Sequence, residues 1–307
     1  MSTDGHAAET INEDRSLARR LFDSSWFRVF QIAPAVLWIG IFLTLPFLII
    51  ISYSFFESAP LTDGLLGGSL TAANYLEFFA RPVYLSILWD SLVIAVVTTV
   101  VTLALVYPAA YYLAFSDLRY KNLFLLLFIL PFWMNIVIRT YAWRQVFGEG
   151  GLVNYTLSFV GAGPIDVMFT RTAVIIGLVH VFLPFMLLPV YSSLSNIDRS
   201  QIESAKNLGA NRIEAFTEIT LPQSVPGVGA GVMLVFVLSF GAFVVPELLG
   251  GAQNSMIANL IGSMFLELQS WEVGSAIAVI FTALVLALVY AFNRVIGLEG
   301  LYGGENA

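Results

Sequence analysis

Residues 172–225 read TAVIIGLVHVFLPFMLLPVYSSLSNI and then DRSQIESAKNLGANRIEAFTEITLPQSV. The first part is 26 residues without Asp, Glu, Lys or Arg. A helix rises about 1.5 Å per residue, so roughly 20 residues cross a bilayer core, and this run exceeds that. Seven charged residues follow within 198–218, and then 219–246 is charge-free for another 28. Backbone polar groups in hydrocarbon must be satisfied within the segment. At this run length only a helix does so, because barrel strands would be about 10 residues with strict alternation. The stretch reads as membrane helix, polar connection, membrane helix.

The same pattern repeats outward. Charge-free runs occupy 29–56 (28 residues), 91–116 (26), 122–138 (17) and 273–293 (21). The 17-residue run is short, but VIRTYAWRQVF continues its helical character. The expectation is an all-α membrane protein with six transmembrane helices near 30–54, 87–115, 122–146, 172–195, 226–249 and 273–296. They form one domain, 29–297, flanked by tails 1–28 and 298–307, with 196–224 as a loop within it.

Composition agrees. Of 307 residues 58% are hydrophobic and 11% charged, against about 25% charged in soluble domains. That excludes a water-soluble globule, and high hydrophobicity excludes disorder. A net charge of −7 with only two Lys argues against a nucleic-acid partner. The chain has no Cys and two His (His6 and His180), so no thiolate or histidine metal cluster and no cofactor is expected. Residues 1–28 carry nine charges and do not read as a cleaved signal. Within them RSLARRLFDSSWFRVF, 15–30, suits either an interfacial helix or a solvated tail.

Lys and Arg set the orientation. Six spans place the tails and the 2–3 and 4–5 loops on one side, with ten Lys/Arg, and leave Arg81 and Arg171 on the other. Both termini are therefore expected in the cytoplasm, with the protein in the inner (plasma) membrane. Eight of the twelve prolines fall in or at the ends of spans, which fits either simple kinks or broken helices lining a path.

The 4–5 loop reads as two short helices. Asp198 and Ser200 are both N-cap types, and Ser200 with Glu203 forms a capping-box pattern. Ile202, Ala205 and Leu208 make an apolar stripe at helical spacing. Gly209 supplies the stop. A second short helix follows over 211–218, and Pro222 and Pro226 introduce the fifth span. Counting from Glu203, Ala205 lies at +2, Gly209 at +6, Ile219 at +16, Leu221 at +18 and Pro222 at +19.

That spacing resembles the EAA motif of membrane permeases of bacterial ABC importers, with Ser204 in place of the first Ala. The resemblance implies a MetI-like fold and a coupling helix around Ile202–Leu208, seated in a groove on a separate ATPase. The implied coupling residues are Ile202, Glu203, Ala205, Leu208, Gly209, Leu221 and Pro222. The implied partners are an ATPase dimer, a second homologous permease subunit and a periplasmic or extracellular solute-binding protein. The chain itself has no P-loop: neither Lys121 nor Lys206 follows a Gly, so ATP hydrolysis is expected on a partner and the chain is not expected to be an enzyme.

Three further stretches resemble the spermidine/putrescine permease branch. They are Pro131–Trp133 with Arg139–Trp143, Leu183–Met186 with Pro189 and Tyr191, and Phe240–Gly251. A polyamine suits an outer side with nine acids against two arginines, since acids concentrate cations and aromatic faces hold ammonium groups. Trp133, Tyr141, Trp143, Tyr107, Phe243, Glu247 and Asp90 are the path candidates. Trp and Tyr at span ends also serve as interfacial anchors, Asp90 as a favourable charge at a helix start, and His180 as an interhelical hydrogen-bond donor rather than a proton carrier. An ion-gradient-driven secondary transporter, or an importer of another solute, are the alternative readings. A membrane enzyme finds no nucleophile–base set or cofactor fingerprint.

Overall fold

The computed structural model describes residues 25–57, 69–117 and 119–296, and side chains between 32 and 294. The tails and Asp63 thus lie outside the described residues, apart from the start of the first helix. The described residues are helical throughout, with one isolated bridge, Phe56 to Leu70.

In chain order the helices are α1 (Ser25–Ile39), α2 (Leu45–Tyr53), α3 (Ala73–Ala80), α4 (Pro82–Phe115), α5 (Lys121–Ile129), α6 (Ile136–Phe147), α7 (Leu152–Phe159), α8 (Arg171–Ser195), α9 (Arg199–Asn207), α10 (Arg212–Ala215), α11 (Leu221–Phe240), α12 (Val244–Leu249), α13 (Ile257–Leu266) and α14 (Trp271–Ile296). A π-helical turn, Gly40–Thr44, joins α1 to α2 without a break. Five segments are long and apolar enough to cross a membrane: Ile32–Tyr53, Pro82–Phe115, Arg171–Ser195, Arg212–Phe240 and Trp271–Arg294. The bent pair Lys121–Trp133 and Ile136–Phe159 passes the same test together and brings the number to six when counted as one span.

Three expected spans are corrected. The third, expected as one helix over 122–146, bends by 96° at its middle. Pro131 has no N–H to continue the ladder and its ring crowds the preceding turn. The chain passes through a 3₁₀ turn, Leu130–Trp133, and Asn135 restarts it by accepting from the N–H groups of Val137 (2.8 Å) and Ile138 (3.4 Å). Arg139 is 5% exposed and donates back to the Pro131 carbonyl at 2.9 Å. A cation thus sits at the carbonyl end of the first half-helix, where the helix dipole favours it. The second span starts at Pro82 rather than 87, so Asp90 lies inside the helix and not at its opening. The fifth is already helical from Arg212 through a π turn, Phe216–Thr220, and ends at Phe240; 244–249 is the separate helix α12. Pro222 directly follows the π segment, where the ladder is already irregular and can take up a proline that lacks an N–H.

The core is built from α4, α8 and α11. Val106 and Ala110, then Leu178, Met186, Leu187, Val190 and Leu194, then Val235 are buried in one cluster. Small residues allow the close approach that packs helices in lipid. A Cβ on Gly227 of α11 would stand 2.5 Å from the Pro189 carbonyl oxygen on α8, so nothing larger fits there. A smaller cluster of Phe78, Tyr84, Ile257, Leu260, Met264, Val273 and Ile277 ties α3 and α13 to α4 and α14. None of residues 32–53 is buried, so the first span presents apolar side chains such as Trp38, Phe42 and Leu43 outward.

Candidate functional site

The loop 196–224 is held by its own backbone. Asp198, not Ser200, caps α9, accepting from the Ser200 N–H at 2.9 Å and the Ser200 hydroxyl at 2.6 Å. These two bonds, the hydroxyl first, hold the Asp198 carboxyl below the usual carboxylate range. The capping box expected at Ser200–Glu203 therefore does not form, because Asp198 is the residue with extended backbone before the helix. A capping box forms instead one helix later. Asn211 accepts from the Glu214 N–H (3.0 Å), and Glu214 accepts from the Asn211 N–H (2.8 Å).

Gly209 has φ +98°, a left-handed conformation that a side chain resists. Around it the Gly209 N–H donates to Lys206 O and the Ala210 N–H to Ala205 O, each at 3.0 Å, which satisfies the carbonyls that end α9. This turn divides the expected apolar stripe. Ile202 packs against the α4–α8 core, and Ala205 is half-buried. Leu208 is 90% exposed and Ile213, just past the turn, 74% exposed. Glu203, Leu221 and Pro222 are also exposed, while Ile219 is half-buried.

The other candidates are scattered along the bundle. Trp133 projects from the bend of the third span, 78% exposed. Trp143 turns inward: its ring N–H donates to His180 Nδ1 at 3.1 Å and its face lies 5.0 Å from Phe147. His180 thus serves as the interhelical partner, accepting rather than donating. Tyr107 belongs to the loop end, with its hydroxyl 3.0 Å from Ser224 Oγ and its ring 6.0 Å from Phe216. Asp90 is paired with Arg171 at 2.7 Å. Tyr141 lines a cavity of about 810 Å³ with Arg144, Glu149, Asp166 and Phe169.

Phe243 and Glu247 come together. They line a second cavity, about 500 Å³, with Glu267, Asn259, Ser255 and Ser263. The Asn259 amide donates to Glu247 Oε2 (2.6 Å) and to the Phe243 carbonyl (3.0 Å). Asn259 carries no local signal in the sequence, and Glu267 enters there only as one of the nine outer-side acids. Among the described residues no group of three His, Cys, Asp or Glu is placed to hold a metal ion.

The described residues thus form a bundle of apolar helices carrying a short capped helix pair with an exposed leucine and isoleucine. Residues 24–297 match the family of binding-protein-dependent transport system inner membrane components, and the chain belongs to that family. It is 35% identical over 272 residues to the spermidine/putrescine transport system permease protein PotB of Haemophilus influenzae, covering 87% of this chain and 93% of that one. It is 37% identical over 264 residues to PotB of Escherichia coli K12, covering 85% and 95%. Its fold resembles a crystal structure of a bacterial ABC transporter that imports alginate, with TM-score 0.76, 17% identity and coverage of 92% of this chain and 98% of that one. A further solved structure, with TM-score 0.72 at 17% identity and covering 89% and 94%, is the alginate transporter in complex with its alginate-bound periplasmic protein. The expected MetI-like fold is thus observed, and the chain is a transport subunit rather than an enzyme.

Proposed function

We propose that this chain is the permease subunit of an ATP-driven polyamine importer. In this reading α9 and α10 are the coupling element, and the ATPase dimer binds over Leu208 and Ile213. Both termini face the cytoplasm, following the ten-to-two bias in Lys and Arg. A homologous second permease completes the path, and a solute-binding protein delivers solute at the far end. Glu247 with Phe243 contacts a solute ammonium there.

The observation that carries the reading is the pair of exposed apolar side chains flanking the left-handed Gly209. Apolar groups so exposed on a polar, precisely capped loop gain by burial in a partner's groove. The polyamine substrate is supported by the identity to spermidine/putrescine permeases over most of the chain.

The test is uptake of labelled putrescine and spermidine into proteoliposomes holding this chain with its ATPase, second permease and binding protein. ATP-dependent uptake of either establishes class and substrate. Hydrolysis stimulated by the loaded binding protein without polyamine uptake keeps the importer and replaces the substrate. Uptake that follows an ion gradient without ATP overturns the reading.

A further inference from the structure

We propose that the second span receives the movement of the coupling loop directly, and that Arg199 is the positioning residue that links the two. The inference rests on the importer reading above. The loop is covalently continuous with the fourth and fifth spans, so its effect on those needs no further device. The second span, α4, has no such connection, and yet it is gripped at two points.

The first grip is polar. Arg199, the first residue of α9, donates through Nη1 to Asp117 Oδ1 at 2.8 Å and through Nη2 to the Ala114 carbonyl at 3.2 Å. Ala114 lies in the last turn of α4, where carbonyls have no partner within the helix. A guanidinium there satisfies one of them and opposes the negative end of the helix dipole. Its planar fork spans both acceptors at once, which fixes direction as well as distance. The neighbours of Arg199 press the same way: Ile197 is buried and Ile202 packs on the core.

The second grip is aromatic. Phe216, in the π turn after α10, lies edge-on to Tyr107 and Tyr111 of α4, at 6.0 and 5.8 Å between ring centres. Tyr107 also meets Ser224 at 3.0 Å. The loop therefore holds α4 at two points, from the start of α9 and from the π turn after α10, while Leu208 and Ile213 stay exposed on its outer face. A push on the outer face of α9 has a rigid, two-point route into the second span.

Complete importer in proteoliposomes, supplied with loaded binding protein, is assayed for ATP hydrolysis and uptake in parallel. Arg199→Ala is expected to retain co-purification of the ATPase and its hydrolysis. The ATP consumed per solute imported rises about fivefold or more, the lower end of ordinary coupling between sites. Arg199→Lys, which keeps the charge without the fork, falls between wild type and Arg199→Ala. Asp117→Arg, at an almost fully exposed side chain, shifts the ratio in the same direction without endangering the fold. Unchanged ratios in Arg199→Ala and Asp117→Arg overturn the proposal. So does equal loss of hydrolysis and uptake, which signals failed docking rather than failed transmission. If Arg199→Ala is not recovered from the membrane, Asp117→Arg alone decides. Failure of the importer reading is distinct: the wild-type complex itself shows no ATP-dependent uptake.

Discussion

The loop 196–224 and the far end of the bundle both carry residues singled out by their types, and the folded chain uses them in opposite ways. In the loop the motif residues stay together within two short helices, held by bonds between neighbours in sequence. Asp198 caps Ser200, Asn211 caps Glu214, and Gly209 turns the chain between them. Among the other candidates, Trp143 is taken up by His180 and Asp90 by Arg171, and Trp133 projects outward from the bend of the third span. Phe243 and Glu247 share a cavity. A functional element closed by local hydrogen bonds keeps its composition on folding. One assembled from distant helices is decided by which faces happen to meet.

The largest expected effect sharpens the loop side. Leu208→Asp places a charge where burial against the ATPase is proposed. Losing one leucine's burial costs about 1.5–3 kcal/mol before the charge is counted, so ATPase co-purification falls by more than about tenfold, with membrane insertion unchanged. Undiminished co-purification breaks the claim that this face docks.

Next is Glu247→Gln, which tests the far end. Removing the charge while keeping shape and the Asn259 contact is expected to lower spermidine uptake about tenfold at limiting solute, as for one charge-assisted hydrogen bond. Uptake equal to wild type returns Glu247 to a structural role and leaves the far end without a solute contact.

Trp143→Phe is expected to do less. It leaves His180 Nδ1 without its donor at a cost of about 1 kcal/mol, read as a small drop in melting temperature with solute specificity unchanged. A changed ratio of putrescine to spermidine uptake would move Trp143 into the path after all.

The smallest effect concerns pH. The Asp198 carboxyl is held below its ordinary range by Ser200, so its folded pKa lies under the unfolded value of about 3.9. Its contribution is therefore complete above that unfolded value and is lost as pH falls through the folded one. The difference in coupling between wild type and Asp198→Asn is expected to stay constant from about pH 8 to pH 5. A difference that fades across that range would show that Asp198 is not the group that caps α9.

How much was legible in advance follows the same division. Charge spacing placed six spans because lipid imposes a length on every helix, and five of them appear as continuous helices. The bend of the third was hidden, since prolines are common in spans and only the meeting of Pro131, Asn135 and Arg139 turns one into a 96° break. In the loop, Gly209 was read correctly as the stop. The cap stayed open between Asp198 and Ser200, because both are good capping residues and only the backbone angles choose between them; the capping box read at Ser200–Glu203 does not form.

The sequence by itself determined the solvent, the apolar spans and the motif of the loop. Each of these depends on composition or on spacing along one segment. The tertiary structure decided which side chains face outward and which are already partnered. It put Leu208 outside and Ile202 inside the same stripe, joined Glu247 to Asn259, and set Arg199 against the end of α4. Those pairings join residues 12 to 85 positions apart, and no local rule links them. They exist because close-packed helices bring a few polar groups within bonding distance in a medium where an unpaired one is costly.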